Sequence, residues 1–283
     1  MKDVSAPEVR GFLDALGMKE EPMGMIYTDD PPSGGVSPKQ GVLPSREDEM
    51  RGQVDFGGLF ANFSCVVGNI WRARKKGSAA YFSKDQFGCI GGGFYLGFMK
   101  PQLDFIAHYV SSGIPGHVEG ERYLESPEVT RRFFETIDPP PAPAPFCVFK
   151  PVTQFTQTED PLLVTFFARG EIIGGLNQLA TFVTNDFEAV TSPFGAGCSN
   201  MVTWPLRILA QGKLKAVLGG WDPSDRKYLK PDEMTFTVPL EMFTRMVKRW
   251  PESFLTTRTW ATVKKKIELS EKTWGEVPEV GRG

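Results

Sequence analysis

Three of the four cysteines sit beside glycines. They are Cys65 in Asn62-Phe63-Ser64-Cys65-Val66-Val67-Gly68, Cys89 in Gly88-Cys89-Ile90-Gly91-Gly92-Gly93, and Cys198 in Phe194-Gly195-Ala196-Gly197-Cys198-Ser199-Asn200. Glycine serves where φ must be positive or where a ligand must reach the main chain, so thiols set among glycines point to a site. Three thiolates gathered by the fold would leave a fourth coordination position open. That suits an iron–sulfur cluster whose remaining iron faces a ligand, or a metal ion with an exchangeable site. The candidate metal ligands are therefore Cys65, Cys89 and Cys198, with Gly91, Gly92, Gly93, Gly195 and Gly197 as close-approach positions for the cofactor. Zinc completed by an Asp or His is the lesser alternative. The cysteines are remote from one another in the chain and lack the close Cys-x-x-Cys pairs of zinc knuckles, ribbons and ferredoxins, so only the fold can bring them together.

Two other chemistries compete. Gly195-Ala196-Gly197 precedes a predicted helix at Cys198, where backbone N–H groups and the positive end of the dipole would lower the thiol pKa and make Cys198 a nucleophile. The same Gly-x-Gly could form an anion-binding nest in a non-catalytic ligand-binding or sensor protein, the cysteines then being mere packing. Cys65 falls inside a predicted helix and could pack on its apolar face, and Cys147, in Phe146-Cys147-Val148-Phe149, is assigned to the core. Histidine is nearly absent. His108 reads as structural and His117 as a loop residue able to gate a ligand, and a multi-histidine metal site is excluded. Nucleophile-elbow, Walker A, His-Glu-x-x-His and complete dinucleotide motifs are missing. Gly219-Gly220-Trp221-Asp222-Pro223-Ser224-Asp225-Arg226 follows a predicted strand and is a candidate recognition loop.

Bulk properties narrow the class. With 283 residues and 41% hydrophobic content the chain can bury one large core or two ordinary ones, and a net charge of −2 argues against nucleic acid or an anionic membrane as partner. Charges, Gly and Pro interrupt every apolar stretch short of a membrane span, and the first 24 residues carry acids where a signal peptide has its apolar core. A cytoplasmic, reducing location is expected, which disfavours disulfides. The expected partner is a small-molecule ligand or a redox partner. The Gly91–Gly93 run would also permit close packing in a homodimer.

Periodicity predicts alternating elements. Helices are expected over Val4–Leu16, Gly58–Lys76, Ser126–Ile137, Gly170–Phe182, Cys198–Gln211 and Pro239–Trp250. Strands are expected at Met23–Thr28, Ala79–Phe82, Phe146–Phe149, Leu162–Phe167, Glu188–Thr191, Leu214–Leu218 and Met234–Val238. The run Arg72-Ala73-Arg74-Lys75-Lys76 before Gly77 reads as dipole compensation at a helix C-terminus rather than a phosphate patch. The mixture indicates an α/β or α+β fold with mixed sheets and covering helices. The Pro-rich run 139–145 separates an N-terminal half, 1–138, holding Cys65 and Cys89, from a C-terminal half, 146–269, holding Cys198. A polar tail, 270–283, is expected to fray. Cys65 is followed by Trp71, Gly77 and a strand, as Cys198 is by Trp204, Gly212 and a strand, so the halves are candidates for an internal pseudo-repeat.

With these residues in view, the chain resembles domain-of-unknown-function family 169, an uncharacterised group frequent in archaea and anaerobic bacteria. The likeness runs from about Leu16 to Val263. It is carried by Glu21-Pro22-Met23-Gly24-Met25, Arg74-Lys75-Lys76-Gly77, Cys89-Ile90-Gly91-Gly92-Gly93-Phe94-Tyr95-Leu96-Gly97, Gly195-Ala196-Gly197-Cys198 and Met234-Thr235-Phe236-Thr237-Val238-Pro239. Gly93 stands where relatives tend to carry alanine. The resemblance implies a single module marked at Cys65, Cys89 and Cys198, in hosts where an oxygen-sensitive cofactor is reasonable; it names no reaction.

Overall fold

The computed structural model describes residues 1–100 and 103–274. In the first half, chain order is α1 (Ala6–Leu16), β1 (Met23–Thr28), α2 (Arg46–Met50), α3 (Phe56–Ala61), α4 (Val66–Lys75), β2 (Ala80–Ser83), α5 (Ile90–Tyr95), α6 (Phe105–Val110), β3 (Gly113–Ile114), β4 (Val118–Glu119) and α7 (Pro127–Ile137). The second half continues with β5 (Phe146–Pro151), β6 (Leu163–Arg169), α8 (Gly170–Thr184), β7 (Val190–Thr191), a π-helical turn (Ser199–Thr203), α9 (Trp204–Ala210), β8 (Ala216–Gly219), α10 (Pro223–Arg226), β9 (Glu233–Pro239), α11 (Leu240–Arg249) and α12 (Arg258–Trp274). The mixed α/β class is as the periodicity predicts.

Among the described residues, the strands form a seven-stranded sheet in the order β2-β5-β1-β6-β9-β8-β7, with β3 and β4 a separate hairpin. Neighbours are antiparallel except β7 and β8. Because β1 lies between β5 and β6, the two halves of the chain share one sheet. β6 shows how the sequence fixes its two faces. Val164, Phe166 and Ala168 join the core beneath α1, α8, α11 and α12, whereas Leu163 and Phe167 point to the opposite face, beneath α4, α5 and the π-helical turn. Alternation of period two makes both faces apolar, as a central strand covered on both sides requires. All four cysteines lie on the α4 side: Cys147, Cys198 and the flanking Cys65 belong to that core, and Cys89 heads α5 beside it.

The sheet has an approximate twofold order about the β1–β6 pair. Outward on one side run β1, β5, β2, and on the other β6, β9, β8. The outer strands match in detail, since Ala80 of β2 makes a parallel bridge to Val36 while Ala216 of β8 pairs in parallel with Val190. Each is reached through helical segments that begin just after a cysteine, α4 after Cys65 and the π-helical turn leading into α9 after Cys198. This is the arrangement the Cys-to-Trp spacing anticipates.

Four expectations are corrected. The predicted helix Gly58–Lys76 is two: α3 is capped by Asp55, whose carboxylate accepts from Gly58 N, and it ends at Ala61. Ser64 N then turns away to donate to Gly88 O at 3.0 Å, so α4 starts afresh at Val66. Cys65 is thus a helix N-cap, not a mid-helix residue. The helix expected from Cys198 opens instead with a π-helical turn, joined to α9 before Pro205. The basic run does more than offset a dipole: Arg74 is buried, with its guanidinium 2.6 Å from Glu233 and 3.0 Å from Glu20, over the Phe167 ring at 4.5 Å. Residues 270–274 of the expected tail continue α12, whose Trp260 Nε1 donates to Ala15 O at 2.8 Å; the remainder of the tail lies outside the described residues.

Candidate functional site

Three helix starts meet on the α4 face. Cys65 stands at the N-cap position of α4, Cys89 caps α5 with its side chain, and Cys198 immediately precedes the π-helical turn. Main-chain and side-chain bonds tie the three segments together. Ser64 N donates to Gly88 O, joining the Cys65 and Cys89 segments, and Thr203 Oγ1 donates to Tyr95 O at 2.7 Å, joining the π-helical turn to α5. Asn69 Nδ2 reaches back to Ser64 Oγ and Cys65 O at 2.7 and 2.8 Å, which holds the Cys65 turn in place.

Asp225 occupies the middle of this junction. Only 3% exposed, it accepts a hydrogen bond from Cys65 Sγ at 3.2 Å through Oδ1 and one from Gly197 N at 2.9 Å through Oδ2. A Cβ on Gly197 would stand 1.9 Å from Oδ2, so only glycine permits this approach. Gly-x-Gly does receive an anion, and that anion is the protein's own carboxylate. The other glycines are also filled by protein atoms. A Cβ on Gly92 would lie 2.4 Å from Phe87 O, one on Gly93 2.4 Å from the Met99 methyl, and one on Gly195 2.2 Å from Ser199 Oγ, while Gly91 faces Tyr95 and Cys89 at ordinary contact distances.

The electrostatics are those of an acidic, desolvated junction. Cys89 Sγ accepts from Gly92 N at 3.3 Å, a bond that favours thiolate, yet burial outweighs it and pushes the thiol up to about 11. Burial, followed by the charge of Asp225 and then of Cys89, raises Cys65 far above the ordinary thiol range. Cys198 is likewise raised well above it, first by burial, then by Cys89, Asp225 and Cys65. The expectation of a dipole-lowered Cys198 is therefore reversed: its side chain caps no backbone N–H, and burial beside negative neighbours wins. Asp225 itself is raised to about 7, first by burial and then by Asp222, against the opposing hydrogen bonds from Cys65 and Gly197. Asp225 raises all three thiols, and Cys65 and Cys198 are raised further by Cys89. Cys147, by contrast, is raised by burial alone on β5.

Further oxygen groups act on this site electrostatically, of which Glu121 and Tyr123 were not singled out by the sequence. Glu121, at the end of the β3–β4 hairpin, is raised to about 7, first by burial and then by Asp222, opposed by its hydrogen bond with Tyr109 and by Lys227. Tyr123 hydrogen-bonds Asp222, and Tyr95 is held protonated by burial and by the charge of Cys198. Asp222 and Asp225 come from the Gly219–Arg226 loop, and Trp221 of that loop donates to Ser192 Oγ at 2.7 Å. His117 is exposed and packs on Phe56, and His108 stands 3.6 Å from Asp104 on α6. A surface cleft of about 530 Å³ lined by Tyr27, Pro140, Leu206 and Arg207 includes none of the three cysteines.

The donors suit soft-metal chemistry, because three thiols and a carboxylate are anionic once deprotonated and each stands where a metal would supply the missing positive charge. Among the described residues, no three or more His, Cys, Asp or Glu side chains are gathered closely enough to hold a metal ion as they stand. All four cysteines are free thiols.

The family model described as Uncharacterised ArCR, DUF169, matches residues 12–249. No curated protein and no solved structure matches the chain. Among the described residues, no helix is long and apolar enough to cross a membrane.

Proposed function

The chain belongs to the DUF169 family, and we propose that it is a cysteine-ligated cofactor protein whose Cys65, Cys89 and Cys198 hold an iron–sulfur cluster. The observation that supports this reading is that Asp225, buried, accepts from Cys65 Sγ and from Gly197 N beside Cys198, while Ser64 N ties the Cys65 turn to Gly88 beside Cys89. When bound, the cluster supplies one-electron redox chemistry or a Lewis-acidic iron for activating a small molecule.

The chain's own groups prepare the place. Metal-free, the thiols keep their protons at neutral pH, since burial and the negative neighbours oppose thiolate. A cationic centre reverses that balance, and uptake of metal is coupled to release of protons. Gly92 N–H remains to stabilise the Cys89 sulfur, and Gly197 keeps Asp225 oriented. Tyr109 and Tyr123 keep their protons at neutral pH, and Glu121, raised to about 7, is able to give or take one there.

The test is anaerobic purification of the full chain, followed by visible absorbance and by iron and acid-labile sulfide analysis. Broad charge-transfer absorbance with both elements present supports the reading. Stoichiometric zinc with no sulfide would replace it with a zinc site, and a colourless protein that takes up neither metal under reconstitution would overturn it.

A further inference from the structure

We infer that Asp225 is the fourth protein ligand of the cysteine centre, the pseudo-twofold counterpart of Cys89. The inference rests on the cluster reading above and extends it to a position that no cysteine fills.

The argument starts from the sheet. Ala80 and Ala216 are equivalent, each making the parallel pairing of its outer strand, to Val36 and Val190. Cys89 lies nine residues beyond Ala80, and Asp225 lies nine residues beyond Ala216. The same axis relates Cys65, at the start of α4, to Cys198, at the start of the π-helical turn that leads into α9. The two halves of the fold thus each present two donors at the junction: Cys65 with Cys89, and Cys198 with Asp225. Three corners are sulfur and the fourth is oxygen.

Local geometry agrees. Asp225 is nearly fully buried, and both of its oxygens are committed to the site, one to Cys65 Sγ and the other to Gly197 N beside Cys198. Among the described residues its hydrogen-bond partners are Cys65 Sγ and Gly197 N and no cationic side chain pairs with it, although burying a carboxylate without a cation is costly. The other buried acid, Glu233, has Arg74 at 2.6 Å. A metal centre bonded to Asp225 accounts for a carboxylate kept in this place. Its chemical consequence is a differentiated iron: carboxylate is a harder donor than thiolate and holds iron less firmly, so that iron is the one an outside ligand reaches.

The test uses the full chain, anaerobically reconstituted with ferrous iron and sulfide, as wild type, Asp225→Cys and Asp225→Asn. Each is titrated with ferricyanide, and the three-iron signal is followed by electron paramagnetic resonance. In that step one electron passes to ferricyanide and one ferrous ion leaves the cluster. The expected result is that wild type loses its differentiated iron, that Asp225→Cys suppresses the loss at least about tenfold, and that Asp225→Asn, which retains an oxygen for Gly197 N, loses the iron at least about tenfold faster. Equal loss in all three proteins, at equal iron and sulfide content, overturns the assignment of Asp225 and leaves the three-cysteine reading standing. Absence of iron and sulfide from reconstituted wild type overturns that reading itself. Circular dichroism melts confirm that both variants are folded when compared.

Discussion

Asp225 Oδ1 and Cys65 Sγ are 3.2 Å apart although 160 residues separate them in the chain. The contact joins α10 to the start of α4 across the pseudo-twofold axis. Its consequences can be measured at the neighbours of both residues.

Gly197→Ala tests the fit of Asp225. The added methyl would stand 1.9 Å from Oδ2 and 3.0 Å from Val67, so the carboxylate must leave its bond to Gly197 N. A loss of roughly 1–3 kcal/mol is expected for a buried polar group left unpaired, read by urea unfolding, together with reduced iron uptake. Unchanged stability and uptake would show that Asp225 is free to move.

Thiol reactivity separates a metal site from a nucleophile. In the metal-free protein at pH 7, Cys65, Cys89 and Cys198 should alkylate with iodoacetamide more slowly than free cysteine, because burial and acidic neighbours hold them protonated. The Cys89 rate should climb as pH approaches about 11. Rapid, selective labelling of Cys198 at pH 7 would favour the thiol-enzyme reading instead.

The helix that carries Cys65 is anchored by a buried ion pair. Arg74 and Glu233 are 2.6 Å apart with side chains 2% and 5% exposed, and Trp71 Nε1 donates to the same carboxylate at 2.8 Å. Glu233→Ala leaves the buried Arg74 with Glu20 alone and deprives Trp71 Nε1 of its acceptor, and a cost of about 1–3 kcal/mol is expected in chemical unfolding. A cost within about 0.5 kcal/mol would mean that the pair is dispensable.

Glu121 gives a pH signature. Its carboxyl is raised to about 7 in the folded protein, whereas an unfolded glutamate titrates near about 4.3. The folded state therefore binds the extra proton, so this contribution to stability is complete below about pH 4 and is lost as pH rises through about 7. Melts of wild type should show that falling contribution and Glu121→Gln should lack it; identical pH profiles would contradict the shift.

The legible part of this molecule is the part governed by local pattern. Strand β1 and helix α7, with Ser126 as cap and Pro127 at its first position, lie where alternation and capping chemistry place them. The Cys65–Trp71 and Cys198–Trp204 spacings already carry the pseudo-repeat. Features set by distant partners were hidden. The break before α4 depends on Ser64 N finding Gly88 O, and the burial of Arg74 depends on Glu233. Helix α12 shows Trp260, Val263 and Ile267 at helical spacing, yet its docking requires Gly175, where a Cβ would meet the Trp260 ring at 2.5 Å. Asp225 is one of 34 acidic residues, and nothing short of the fold distinguishes it from its neighbours in the Gly219–Arg226 loop.

The most direct test of the central claim is the iron and sulfide content of four anaerobically reconstituted variants, Cys65→Ser, Cys89→Ser, Cys198→Ser and Cys147→Ser. The account predicts that each of the first three loses most of the cofactor while Cys147→Ser retains it. Uptake that is insensitive to Cys65, Cys89 and Cys198, or that depends equally on Cys147, would contradict it.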